Sequence, residues 1–405
     1  MSNNINFQEL AQKYQTPYYV YDFDHITQQY QELKSAFKAR KSLISYAIKA
    51  NSNLSVVKHL ADMGSGADCV SIGEVKRALK VGIAKYKIIF SGVGKTDDEI
   101  KEALEFDILM INVESEAELH RVEAMAKELN KEARISIRVN PNIDPKTHPY
   151  ISTGLHENKF GVDIGTAKRM YIMAKNSEFL DPIGIHCHIG SQLTQLEPIK
   201  EAVNLVADLV RNLHQALKIE LKFFDVGGGL GIVYDDEILI DTYEYAQTIM
   251  EALFGLDITV VCEPGRFIVG NSGTFVTKVL YEKVNGDKRF VIVDGAMNDL
   301  LRPSLYDAYH KIEVIGKDKD VSDCNVVGPV CESGDFFAKN INLPLTKHND
   351  LLAIYSAGAY GFTMASNYNT RGKVAEIAIE NNEDRQIRER ETFEDLIKHE
   401  EKYLK

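Results

Sequence analysis

Cysteine is scarce and unpatterned in this sequence. There are five, Cys69, Cys187, Cys262, Cys324 and Cys331, an odd number with no C-x-x-C pair. That argues against a disulfide framework and fits a reducing compartment, so a cytoplasmic location is expected. Long apolar runs are missing too. No stretch approaches the roughly 18 apolar residues of a membrane-spanning helix. The polar opening MSNNINFQELAQKYQ has no apolar core of a secretory signal. Positive charge is in deficit: 47 Lys and Arg face 59 Asp and Glu, a net charge of -12. A nucleic-acid partner calls for a basic patch, so none is expected, and no membrane partner either. The net charge says little about the substrate, because local fields govern a site.

What is present is an alternation. From about residue 40, short apolar runs rich in β-branched residues are each followed by a helix-period stretch. The runs are LISYAIKA (43–50), ADCV (67–70), KIIFSG (87–92), ILMINV (108–113), ARISIRVN (133–140), PIGIHCHIG (182–190), FFDVGGG (223–229) and ITVVCEPG (258–265). Eight βα units in about 225 residues match a (β/α)8 TIM-like barrel better than a doubly wound open sheet. After Phe267 the rhythm changes to strand-like runs, with Asn285-Gly286 as a hairpin turn. CNVVGPVC, DLLAIYSAGAY and KVAEIAIE continue the pattern, and ETFEDLIKHEEKYL reads as a last helix. The expected class is α/β: a barrel over 30–269, then a C-terminal β-rich domain, sandwich- or barrel-like. TPYYVYDF, near the start, reads as a strand able to pair with that domain, which would then comprise 1–29 and 270–405. Residues 141–161 break the rhythm, and a loop that long after the fifth strand reads as a lid over the barrel mouth.

Catalytic groups in such barrels lie at the C-terminal ends of strands. There the sequence places Lys49 on the first strand, Asp68 on the second and Arg138 on the fifth. It puts His186 and His188 on the sixth, Gly227, Gly228 and Gly229 after the seventh, and Glu263 and Arg266 after the eighth. A lysine against desolvating walls is an amine nucleophile for an aldehyde, although most lysines are solvated surface groups. A glycine-rich turn leading into a helix cradles phosphate, or is only a tight turn. A carboxylate such as Glu263 favours the protonated form of a pyridine nitrogen beside it. His186 and His188, spaced to share a strand face, suit stacking on a ring. Zinc would need a third ligand or a carboxylate partner that the sequence does not point to, so no metal is expected.

YAIKAN, GADCVSIGE, HCHIGSQ, DVGGG, EPGR, VGPVCESGD and GAYG occur in this order, and together they resemble the barrel-fold pyridoxal phosphate (PLP) decarboxylases. That family includes the ornithine, arginine and diaminopimelate enzymes, and the likeness runs over essentially the whole chain. MNDLLRPSLYDAYH (297–310), VCES and KTHPYISTG are most like the members acting on meso-diaminopimelate.

The resemblance implies PLP as cofactor, with its Schiff base on Lys49, Asp68 beside that lysine and His188 stacked on the ring. It implies phosphate contacts from Ser191, the Gly227–Gly229 turn, the backbone at Gly265 and Arg266, and Tyr360, with Glu263 on the pyridinium nitrogen. Arg266, Arg302, Tyr306 and Tyr360 would bind substrate, the first three at its distal carboxylate. Glu332 would take the distal ammonium and Cys331 would be the proton donor. In the family these last two come from the other subunit of a homodimer, so the second domain is expected to contribute to both the dimer interface and the active site.

The chemistry of the assignment is coherent. Diaminopimelate carries two amino-acid ends, so a site acting on one must grip the other with a cation for carboxylate and an anion for ammonium. Arg302 is therefore the residue that informs on substrate class, its bland reading being a salt bridge. Two positions depart from the family: Gly295-Ala296 where the order is usually Ala-Gly, and Gly372 where relatives often carry proline. Other readings are a decarboxylase for ornithine, arginine or carboxynorspermidine, a non-catalytic PLP-binding homologue, and a racemase.

Overall fold

The computed structural model describes residues 5–144 and 158–404. Most of the expected lid, residues 145–157, lies outside the described residues. The chain divides into two compact units: Gln28–Ile232 with Ile238–Ile268, and Met1–Thr27 with Val233–Glu237 and Val269–Lys405.

A helix, Phe7–Tyr14, and a strand, β1 (Tyr18–Asp22), open the chain. Eight strands then close a parallel barrel in sequence order. They are β2 (Ser42–Ala47), β3 (Gly66–Cys69), β4 (Ile88–Phe90), β5 (Met110–Val113), β6 (Ala133–Arg138), β7 (Leu180–His186), β8 (Phe223–Asp225) and β9 (Thr259–Cys262). A helix follows each strand, as the alternation predicts. Most of these helices begin where a short polar side chain accepts a backbone N–H of the first turn. Asn53, Ser71, Thr96, Ser115, Asp163 and Asp241 do so, and Thr96 forms a full capping box with Glu99. Such a cap satisfies donors that the helix itself leaves unpaired.

Inside the barrel, Ile89, Leu109, Met110, Ile183 and Val261, with Leu43 and Phe223, form one apolar cluster. Asp68, Asn112, Ser136, His186 and Asp225, buried on five different strands, make the later part of the strands polar. Polar groups so buried need hydrogen-bonding partners, which makes that end the one fitted to a ligand.

The second unit holds a nine-stranded sheet. β10 (Gly273–Asn285) and β11 (Lys288–Val293) form a hairpin, followed by β12 (Ile312–Val314), β13 (Val321–Val327), β14 (Phe336–Pro344), β15 (Leu351–Ile354), β16 (Ala375–Glu380) and β17 (Glu383–Arg388). β1 lies between β10, antiparallel, and β16, parallel, so the early strand completes the late sheet. The first half of the long β10 pairs with β1 and β15 and its second half with β11, across a bulge at Val279/Tyr281. Helix Phe7–Tyr14 packs Phe7 and Leu10 on Tyr18, Val20, Val276, Ala353, Ala375 and Ile377. Among the described residues, no helix is long and apolar enough to cross a membrane.

Three local expectations are corrected. The hairpin turn sits one residue later than expected: Asn285 pairs with Lys288, and Gly286 takes the left-handed φ of 59°. The last helix shrinks to Phe393–Ile397 with a separate 3-10 turn at Glu401–Tyr403. Phe393, Tyr403 and Leu404 stay exposed, so no apolar face is buried to hold a longer helix. Finally, β2 stops at Ala47 and β7 at His186, so Lys49 and His188 lie beyond their strands.

Candidate active site

Lys49 sits in a 3-10 turn, Ile48–Ala50, immediately after β2. Ile48 and Ala50 are buried, which pins the turn and leaves the lysine stem half-exposed. Its Nζ lies 2.8 Å from Oδ2 of the fully buried Asp68 on β3. Burial, and then the nearby Glu263 charge, push the Asp68 carboxyl above its ordinary range despite Lys49.

The glycine turn after β8 has a physical reason for each residue. Gly227 and Gly229 adopt φ of 68° and 112°, which L side chains rarely take. Gly228 has an ordinary φ, but a Cβ there would lie 2.2 Å from the Glu263 carbonyl oxygen. The turn is thus pressed on the end of β9, and Glu263 N–H donates to Gly227 O at 2.7 Å. Gly228 N–H in turn donates to His188 Nδ1 at 3.3 Å, which fixes Nδ1 as the acceptor of a neutral ring. Burial first, then Arg138 and Lys49, hold that imidazole well below its usual range.

The two histidines do different things because the strand ends between them. His186 is buried, with Nε2 at 3.3 Å from Glu263 Oε2. The sequence offered it no carboxylate partner; barrel closure supplies two, Glu263 and Asp225. His186, Asp225 and Glu263 each present a potential ligand atom, and the three atoms lie within 4.8 Å of one another. The carboxylate partners belong to His186 alone, and His188 is not part of this group.

Arg266 opens the short helix Arg266–Val269 and donates to Ser191 Oγ at 3.1 Å from Nη2. Gly265 lies against Ala47 and Ala50, 3.0 to 3.4 Å from where its Cβ would be, so the EPGR turn packs on the Lys49 turn. Arg138 forms a buried ion pair with Glu114 at 2.8 Å, a partner the sequence did not suggest.

In the second unit, Arg302 begins the helix Arg302–Tyr306 and is buried. Its Nε donates to His310 Nε2 at 3.3 Å, while His310 Nδ1 lies 2.9 Å from the Tyr355 carbonyl. The carbonyl requires Nδ1–H, which leaves Nε2 free to accept from the arginine. The guanidinium carbon stands 5.1 Å from the Tyr234 ring centroid and 6.0 Å from that of Tyr306. Tyr360 follows β15 with φ of 57°. Cys331 and Glu332 are exposed on a loop anchored by buried Asp335, which accepts N–H bonds from Val330 and Met297, both at 2.7 Å. Tyr234 and Tyr368 carried no sequence signal, and His310 and Asp335 lie in the motifs MNDLLRPSLYDAYH and VGPVCESGD with no role assigned to them. The departures from the family fit local packing: a Cβ at position 295 would lie 2.7 Å from Phe275, and one at 372 would lie 2.6 Å from the Glu391 carbonyl.

PLP requires an amine for its aldehyde, an anion for its ring nitrogen, a flat neutral cover and phosphate donors. The barrel mouth offers Lys49, Glu263 with its buried Oε1 unsatisfied, neutral His188, and the glycine turn with Ser191 and Arg266. The donor set fits the group.

The family model described as pyridoxal-dependent decarboxylase, pyridoxal binding domain, matches residues 23–270. The chain belongs to the pyridoxal-dependent decarboxylase family. A diaminopimelate decarboxylase of Campylobacter jejuni is 61% identical over 99% of this chain and 100% of its own length. The crystal structure of the Helicobacter pylori diaminopimelate decarboxylase complexed with L-lysine is 57% identical, covers 98% of this chain and 100% of its own, and superposes with a TM-score of 0.96. The crystal structure of the M. jannaschii diaminopimelate decarboxylase, also in complex with L-lysine, is 38% identical with a TM-score of 0.92, covering 97% of this chain and 93% of its own. As a member of this family the chain is a PLP enzyme with carboxy-lyase activity.

Proposed function

We propose that the chain decarboxylates meso-2,6-diaminopimelate to L-lysine and CO2, the last step of lysine biosynthesis. The observation that carries this reading is its full-length likeness to the H. pylori diaminopimelate decarboxylase solved with L-lysine. The buried, ring-caged Arg302 supports it, because a guanidinium held this way is suited to a carboxylate that ornithine lacks at its distal end.

Bound PLP supplies the electron sink for carboxylate loss. The chain's residues do the rest. Lys49 holds the cofactor's aldehyde and is kept in place by Asp68. His188, neutral and oriented by Gly228 N–H, covers the ring. Glu263 pairs with the ring nitrogen. Ser191, Gly227, Gly228, Gly229, Gly265, Arg266 and Tyr360 hold the phosphate. Arg266, Arg302 and Tyr306 grip the distal carboxylate, Tyr360 contacts the substrate, and Glu332 takes the distal ammonium. Cys331 delivers the proton to the carbon that lost CO2. The working form is a homodimer in which the partner subunit's Cys331 and the partner subunit's Glu332 serve each barrel. Five free cysteines suit a cytoplasmic location.

The test is CO2 release by the purified holoenzyme offered meso-diaminopimelate, ornithine, arginine and carboxynorspermidine in parallel. Release from diaminopimelate alone, with lysine formed, is the expected result. Release only from another substrate would overturn the reading of Arg302, and silence on all four with PLP bound would overturn the reaction.

A further inference from the structure

Three adjacent barrel strands end in ionisable groups that the chemistry described above uses only in part. His186 closes β7, Asp225 closes β8 and Glu263 follows β9, and His186 and Asp225 are register partners. All three are buried, at 2%, 0% and 6% exposure. Asp225 Oδ1 accepts the Gly227 N–H at 2.9 Å, which orients its carboxyl at the root of the glycine turn. Its other oxygen, both ring nitrogens of His186 and Oε1 of Glu263 lack a well-formed hydrogen bond, although His186 Nε2 lies only 3.3 Å from Glu263 Oε2. Four such atoms in one layer form a polar cluster built for more than packing.

We propose that His186 and Asp225 are positioning residues for Glu263, holding its carboxylate ionised and aimed at the cofactor's ring nitrogen. The inference rests on the reading of Glu263 given above. Two carboxyls this close in a low-dielectric interior cannot both ionise, so one proton is shared between them. Burial, followed by the Glu263 charge, drives the Asp225 carboxyl well above its ordinary range, so Asp225 is the acid. For Glu263, burial alone acts upward. The adjoining His186, with Lys49 and the Asp225 proton, outweighs it and holds Glu263 below the ordinary carboxylate range. A Glu263 of low basicity leaves the separate proton between it and the ring on the pyridine nitrogen, the state in which the ring accepts electrons. Without Asp225, Glu263 becomes more basic and competes for that proton.

The experiment uses the holoenzyme with Asp225→Asn, Asp225→Ala, His186→Gln and Glu263→Ala. Asparagine keeps an N–H donor toward Glu263, whereas alanine removes it. Asp225→Ala should lower kcat at least about tenfold, the kinetic equivalent of one pKa unit, with KM nearly unchanged. It should also displace the pH midpoint of the bound cofactor's absorbance, and Asp225→Asn should restore most of both. His186→Gln should shift the same midpoint. Independently of activity, the infrared spectrum of the unmutated holoenzyme should contain a buried carboxylic-acid C=O band that folded, PLP-loaded Asp225→Asn lacks. Equal damage from asparagine and alanine, an unmoved absorbance profile, or a missing band overturns the inference. If Glu263→Ala itself leaves the cofactor spectrum and kcat intact, the reading of Glu263 fails first. If Glu263 is essential and its two neighbours are not, only this inference fails.

Discussion

The Tyr368 hydroxyl donates to the carboxylate of Glu332 at 2.8 Å, and the next residue, Asn369, accepts the Cys331 N–H on Oδ1 at 3.3 Å. One short segment therefore touches both residues assigned to the distal ammonium and to proton delivery. The segment is strained: Asn369 and Thr370 take φ of 55° and 57°, and a β-branched residue seldom occupies that region. Tyr368→Phe should raise KM for diaminopimelate about threefold to tenfold while kcat stays within a factor of two, since only the orientation of Glu332 is lost. Asn369→Ala should instead act on kcat through Cys331. Steady-state kinetics separate the two, and a kcat effect in Tyr368→Phe with KM unmoved would detach Tyr368 from substrate binding.

Gly228 makes a different kind of prediction. A methyl group there meets the Glu263 carbonyl at 2.2 Å, and backbone cannot rotate away as a side chain can. Gly228→Ala should cost about 1–3 kcal/mol of stability, the usual range for overpacking. It should weaken PLP binding as well, because the turn, the His188 contact and Glu263 shift together. Gly94, where an added Cβ meets nothing within 4 Å, is the control, and its alanine variant should bind PLP normally. Cofactor titration of both apo-proteins checks the pair, and similar affinities would remove the turn from the phosphate site.

The barrel was legible because its strands are short β-branched runs punctuated by N-capping residues, features of local sequence. The site was legible where chemistry is unusual for its position: a lysine after an apolar strand, three glycines after another, a glutamate before Pro264. Asp225 was not legible as a partner. In DVGGG it reads as a turn residue, and only closure of β8 onto β9 brings it beside Glu263. Tyr368 and Asn369 lie in NYNT, which has no periodicity, so their bonds to the Cys331 loop depend on tertiary packing alone. The truncated last helix failed for the converse reason: its pattern is helical, but its apolar residues stay exposed.

Asp299 gives a stability prediction with a sign. It is 1% exposed, and burial, outweighing Arg371 and the Ala296 N–H, lifts its carboxyl from the usual 3.8 to about 6. The folded chain then binds this proton more tightly than the unfolded chain. Its contribution is therefore greatest below 3.8, falls as pH rises toward about 6, and is constant above that. The change amounts to about 3 kcal/mol. Asp299→Asn, which cannot titrate, should lose this part of the slope. Urea midpoints at several pH values, read as the difference between the two proteins so that other carboxyls cancel, measure it. A difference that does not vary between pH 4 and 6 would show that Asp299 titrates normally.

Arg302 decides the substrate class. Its guanidinium is oriented by His310 and flanked by Tyr234 and Tyr306, and His310 is in turn fixed by the Tyr355 carbonyl. A guanidinium fork suits two-point capture of a carboxylate. Arg302→Ala should lower kcat/KM for diaminopimelate by about 100-fold or more, the cost of truncating one partner of a buried charged pair. Arg302→Lys should recover little, because an ammonium has neither the fork nor the stacking plane. His310→Phe should show a smaller loss in the same direction, since it removes the orienting acceptor and leaves the charge. None of the three should alter the absorbance of bound PLP, so a loss of kcat/KM with an intact spectrum locates the defect at the substrate. An Arg302→Ala enzyme with near-normal kcat/KM for diaminopimelate would mean that Arg302 does not hold the distal carboxylate, and the residue would no longer inform on substrate class.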